Sequence, residues 1–168
     1  MKVAGIFKPI EGCVYRYDYV KIFKSIADGA IEEKSAYRTL ILSDLWFIVY
    51  FVMGIESANH PFIVKMCQVV EDGVKTRTLD LWAREHYKTT IITIAETVQR
   101  VLRNSEERVG IFSHKRPIAK GFLRSIKMLF EGSEILKACF PDVLYQNPAQ
   151  QAAKWSEDDG LVLKRKGF

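Results

Sequence analysis

Glycine is missing from one stretch where it would matter. Between Gly73 and Gly110 the chain has none, although a phosphate-binding loop normally spends two glycines just before its lysine. Cysteine is scarce as well. Cys13, Cys67 and Cys139 are odd in number, widely spaced and without a C-x-x-C, which excludes a disulfide scaffold or a thiolate zinc site and points to reduced thiols. His60, His86 and His114 do not pair with each other, with Cys or with an acid at metal-ligand spacing. The N-terminus lacks the basic-then-apolar layout of a secretory signal. Long apolar runs are also absent. The strongest, Thr39 to Ile55, is interrupted by Asp44, and its unbroken part from Leu45 to Ile55 falls well short of the roughly 20 residues that cross a bilayer. That stretch is expected to be a buried helix, with Trp46, Phe47, Tyr50 and Phe51 in the core, and no membrane partner is expected.

What remains is globular composition: 168 residues, 48% hydrophobic and 27% charged, enough for one core of ordinary size. The net charge of +5 is unevenly placed. Residues 1–75 carry nine Lys/Arg and nine Asp/Glu, whereas residues 76–168 carry sixteen against eleven. The excess therefore lies in the second part, as a polyanion partner would require.

The pattern of elements divides at the same place. Residues 1–75 read as a helical lead-in, with helices over about 15–30, 35–55 and 61–70 separated by "ADGA" and "SANHPF". From residue 76 the order changes. "TRTLDLWA" reads as a short strand and Lys88 to Asn104 as a helix with Ile91, Ile94, Ala95, Val98, Val101 and Leu102 on one face. "RVGIFS" over residues 108–113 reads as a second strand. Pro117 to Phe130 reads as a second amphipathic helix, its apolar side formed by Ile118, Phe122, Leu123, Ile126 and Phe130. "SEILKACF" reads as a short helix, residues 144–160 as a long loop, and Leu161 to Lys166 as a last strand. Strand, helix, strand, helix at these lengths implies a βαβ unit and a parallel sheet. The expected fold class is therefore α/β, the first part of a parallel-sheet domain behind a helical N-terminal segment.

The candidate site is "DLWAREHYKTT", Asp80 to Thr90. Such a loop works by aiming backbone N–H groups and a helix N-terminus at phosphate. A lysine reaches the outer phosphates and the next hydroxyl holds Mg²⁺. Lys88 and Thr89 stand at those places, while Trp82 and Tyr87 replace the two glycines. Glu85 sets a carboxylate beside a polyphosphate and must point outward to avoid repulsion. His86 and Thr90 complete the loop. Arg116, Lys120, Arg124 and Lys127 recur at four, four and three residues, a basic stripe suited to the phosphates of double-stranded DNA. "SEDDG", Ser156 to Gly160, reads as a turn.

"LDLWAREHYKTTIITIAETVQRVL", "RVGIFSHKRPIAKGFLRSIK" and "FPDVLYQNP…KWSEDDGLVLKRK", in that order and spacing, resemble the N-terminal ATPase region of phage terminase large subunits, the DNA-packaging motors. The resemblance covers about residues 62–166 and implies a partial P-loop NTPase whose segment upstream of the loop holds the adenine, with Phe62 a candidate to stack on the base and Gln68 to contact it through its side-chain amide. It implies ATP and Mg²⁺ as cofactors, a γ-phosphate contact from Arg84 (four residues before the lysine), phosphate binding by Lys88, and Mg²⁺ on Thr89 through the nucleotide. It implies a motor on double-stranded DNA, with a terminase small subunit and a portal protein as partners, in the cytoplasm of a bacterial host and encoded by a phage or prophage. No apolar strand ending in Asp-Glu is present. The resemblance thus implies a chain that stops before Walker B and the nuclease domain, binds ATP phosphates without useful turnover, and self-associates. The alternative is a non-catalytic binding or adaptor module, or a prophage remnant, with a dead loop and a basic face for DNA or a partner.

Overall fold

The computed structural model describes residues 7–73 and 81–165. Its elements are helical almost throughout. Helix α1 spans Tyr19–Ala27, α2 Glu33–Ser43, α3 Leu45–Phe47, α4 Pro61–Asp72, α5 Glu96–Arg103, α6 Arg116–Gly132, α7 Glu134–Cys139 and α8 Pro148–Gln151. Helix α3 continues as a π-helical turn, Ile48–Val52, and a second π-helical segment, Thr89–Ala95, leads into α5. Two strands of two residues each, β1 Trp155–Ser156 and β2 Gly160–Leu161, pair antiparallel with Trp155 opposite Leu161 and Ser156 opposite Gly160.

The expected parallel sheet of an α/β P-loop NTPase is therefore not the fold of this chain. The reason lies in the pairing. A strand exists only through a neighbour that takes up its N–H and C=O groups. "RVGIFS" is neither helix nor strand, with Val109 39% and Phe112 93% exposed. Of the expected strand at 76–83, residues 81–83 form no ladder and the rest lies outside the described residues. The last expected strand shortens to Gly160–Leu161 because its continuation bonds elsewhere: Lys164 N–H donates to the carbonyl of Val143 at 3.0 Å.

The helical expectations fare better, with one division and one omission, since α8 and β1 fall within residues 144–160, which read as a loop. The stretch read as one helix over 35–55 is two, bent by 113° at Asp44. Asp44 leaves helical geometry at φ −141° and accepts the Trp46 N–H on Oδ1 at 2.9 Å, capping α3. Among the described residues no single helix is long and apolar enough to cross a membrane.

The core is shared by both parts of the chain. Tyr19, Trp46, Phe47, Ile91, Val98, Leu136 and Phe140 belong to one buried cluster. Its densest part is aromatic: Phe47 and Phe51 lie 4.8 Å apart, and Trp46 stacks on Tyr50 at 5.0 Å with an interplanar angle of 9°. The apolar face read for residues 91–102 is real, since Ile91, Ala95, Val98 and Leu102 are all buried. Buried Gln99 donates to the carbonyl of Ile41 at 3.1 Å and ties α5 to α2. Arg103 reaches Glu71 in α4 and the Leu42 carbonyl, so the helix behind the candidate loop is held from two sides.

Candidate functional site

Residues Trp82 to Thr90 curl around a concavity of about 580 Å³. The curl comes from two residues in the left-handed region, Glu85 at φ 66° and Tyr87 at φ 58°. Tyr87 occupies the place that glycine takes in the common loop pattern. The backbone thus adopts a glycine-like conformation there without a glycine, at a strain of about 1–2 kcal/mol per residue. Contacts hold it in place. The Tyr87 hydroxyl shares a 2.5 Å hydrogen bond with Ser57 Oγ, and its ring packs on the core. Ring nitrogen Nδ1 of His86 lies 2.7 Å from the Arg84 carbonyl oxygen and bridges the turn.

The helix opens directly after the curl. The Tyr87 carbonyl accepts the Ile91 N–H at 2.9 Å, so the N–H groups of the first turn, before Ile91, have no carbonyl of their own to meet. Lys88 and Thr89 are exposed at that end and Thr90 is partly exposed. Arg84 and Glu85 are exposed as well, and Glu85 is the single carboxylate lining the concavity among the described residues. The turn that follows, Thr89–Ala95, is π-helical, a wider geometry found often beside functional sites.

Phe62, at the start of α4, meets this loop edge-on. Its ring centroid lies 5.4 Å from His86 and 6.5 Å from Trp82, and it is 40% exposed. Phe62 therefore joins Trp82 and His86 in a small aromatic cluster beside the loop, without itself lining the concavity. Trp82 is the member that sequence reasoning treated only as a missing glycine. Gln68 is not part of this group: its Nε2 donates to the Val14 carbonyl at 3.0 Å. His60 caps α4, its Nδ1 accepting the Phe62 N–H at 3.2 Å. His114 is exposed beyond the unpaired 108–113 segment.

The basic stripe forms one row on α6, and it is already engaged. Arg116 Nη2 lies 2.6 Å and Lys120 Nζ 2.8 Å from Asp158, while Arg124 Nη2 lies 3.0 Å and Lys127 Nζ 3.8 Å from Glu157. The hydrogen bond from Arg124 holds Glu157 below the usual carboxylate range, and that from Lys120 does the same for Asp158. Beside the stripe, α5, α6 and the hairpin enclose a cleft of about 410 Å³ with Val101, Leu123, Ile126 and Leu161 on its walls. This cleft is separate from the Trp82–Thr90 loop, as the two share no lining residue. Among the described residues no group of His, Cys, Asp and Glu is arranged to hold a metal directly. No family model matches the chain, and no curated protein or solved structure matches it either.

Proposed function

We propose that the chain binds ATP through the Trp82–Thr90 loop and belongs to a phage DNA-packaging motor of the terminase large-subunit kind. The observation that carries the nucleotide part is the left-handed backbone at Glu85 and Tyr87 immediately before Lys88. That conformation is what a phosphate cradle demands of its backbone, and here it occurs in residues that adopt it only at a cost. A concavity of about 580 Å³ falls within the range of small-molecule sites. The residues present fit a triphosphate with Mg²⁺. Lys88 would neutralise the outer phosphates, Arg84 would add a second cation, and Thr89 would offer its hydroxyl to the ion. Phe62, Trp82 and His86 would flank the base. The bound metal would neutralise charge on the phosphates during transfer.

Binding without efficient turnover is the expected behaviour. Phosphoryl transfer needs a group that orients the attacking water, and Glu85, the one acid lining the loop among the described residues, lies within the curl itself. The motor assignment rests on the order of the three quoted segments and on the basic row of α6. Double-stranded DNA, a small subunit and a portal are its proposed partners.

Calorimetric titration with Mg²⁺ and a slowly hydrolysed ATP analogue tests the loop. Lys88→Ala is expected to weaken binding roughly 10- to 100-fold, the loss of a charge-assisted contact of about 1.5–3 kcal/mol, while leaving the helical signal unchanged because Lys88 is exposed. Equal affinity in parent and variant would remove the phosphate role of Lys88. Steady hydrolysis that Lys88→Ala abolishes would show a competent enzyme instead. If a folded sample binds DNA but no nucleotide, the non-catalytic binding module is the better reading.

A further inference from the structure

The four cations of α6 do not face open solvent alone. Two carboxylates in the turn between β1 and β2 lie along them, each meeting two cations: Asp158 takes Arg116 and Lys120, and Glu157 takes Arg124 and Lys127. The spacing of the row is thus answered by two successive anions, as two backbone phosphates would answer it.

The hairpin that presents them is small but defined. Gly160 at φ +97° makes the turn. The Ser156 hydroxyl donates to Asp159 Oδ2 and accepts the Asp159 N–H, both at 3.0 Å. Trp155 Nε1 donates to Glu131 Oε1 at 2.7 Å and fastens the hairpin to the C-terminal half of α6. The charged contacts differ in exposure. Arg116, Arg124 and Asp158 keep 76%, 61% and 54% of their side-chain surface, whereas Lys120, Lys127 and Glu157 keep 31%, 24% and 21%. Exposed pairs such as Arg116–Asp158 contribute little to stability. A polyanion that places phosphates on the same cations gains in addition from counterion release. A hairpin with strands of two residues, exposed at Asp158 and Asp159 and partly buried elsewhere, is a competitor that DNA can displace.

We propose that the β1–β2 hairpin gates the basic face of α6, its Glu157 and Asp158 carboxylates occupying the positions that DNA phosphates take when the chain binds a duplex. This rests on the DNA-motor reading above. The gate lowers non-specific affinity for nucleic acid and makes binding a displacement, so that the hairpin is held in the free chain and released in the complex.

The test uses the whole chain and a labelled duplex of mixed sequence, by fluorescence anisotropy over a series of salt concentrations. Glu157→Gln/Asp158→Asn is expected to bind roughly fivefold tighter or more, the effect of removing weak competing pairs, with a steeper salt dependence. A remote pair with the same change in charge, Glu11→Gln/Asp28→Asn, is expected to bind as the parent does. In the parent, hydrogen exchange at Trp155–Leu161 is expected to speed up when duplex is added, a readout that needs no variant. Equal gains in both variants, no gain in the hairpin variant, or exchange at the hairpin that is unchanged or slower with DNA would each overturn the gate. A chain that binds the ATP analogue but no duplex would overturn the gate and leave the nucleotide reading intact.

Discussion

Glu85 and Tyr87 show how a phosphate-type curl can be built without glycine. Each sits at positive φ, but their circumstances differ. Tyr87 is anchored by Ser57 and the core, whereas Glu85 is exposed. Glu85→Gly is therefore expected to remove strain at little loss of contact. A net gain in stability of up to about 1 kcal/mol is expected, once the entropic cost of glycine is subtracted. It should also tighten binding of the ATP analogue by removing a carboxylate from the loop. Glu85→Gln separates the two effects, as it should improve binding but not the denaturant midpoint. A second residue sets a pH dependence. Burial raises the Asp44 carboxyl from 3.8 to about 6, against the hydrogen bond from Tyr19, which favours the charged form. The folded chain then holds a proton more readily than the unfolded chain does. Its contribution is greatest below 3.8, falls as pH rises to about 6, and is flat above that, a total of about 3 kcal/mol. Denaturation midpoints across this window should flatten in Asp44→Asn, which keeps an oxygen for the Trp46 cap.

Among the elements, α6 combines three demands. Its C-terminal half is packed, with Ile126 and Phe130 buried, while Ile118 is 38% and Met128 63% exposed. Its basic row meets the hairpin, and its N-terminal end carries Pro117 in the first turn, where the missing N–H costs nothing. Gly121 interrupts the helix interior. A Cβ built there meets nothing within 4 Å, so no packing constraint requires glycine. Gly121→Ala is expected to stabilise the chain by about 0.5–1 kcal/mol in a denaturant titration. A loss of stability would mean that this face of α6 contacts something in the folded state.

At the scale of the molecule, the segment from Arg108 to Ser113 is an irregular stretch with exposed apolar side chains. Phe112 is 93% and Val109 39% exposed, and no backbone hydrogen bond joins this segment to another part of the chain among the described residues. Exposed apolar side chains on an irregular segment favour association with a second chain. Concentration-dependent self-association is expected in sedimentation velocity, and Phe112→Ser should reduce it. A parent that stays monomeric across a wide concentration range would show that the segment is not used.

Helix positions, apolar faces and turns were legible because they follow from neighbours three and four residues apart. Ile91, Ala95, Val98 and Leu102 recur at helical spacing and are all buried. Lys88 and Thr89 were likewise readable as the start of a helix. Strand formation was not, because a strand is defined by a partner that local periodicity cannot name. "RVGIFS" has strand composition and no ladder. The bend at Asp44, the left-handed backbone under Tyr87, the meeting of Phe62 with Trp82 and His86, and the pairing of α6 with Glu157 and Asp158 are all settled by contacts between residues distant in sequence or by local backbone geometry that those contacts hold. Residue type and spacing set which groups were available. Packing chose which of them met.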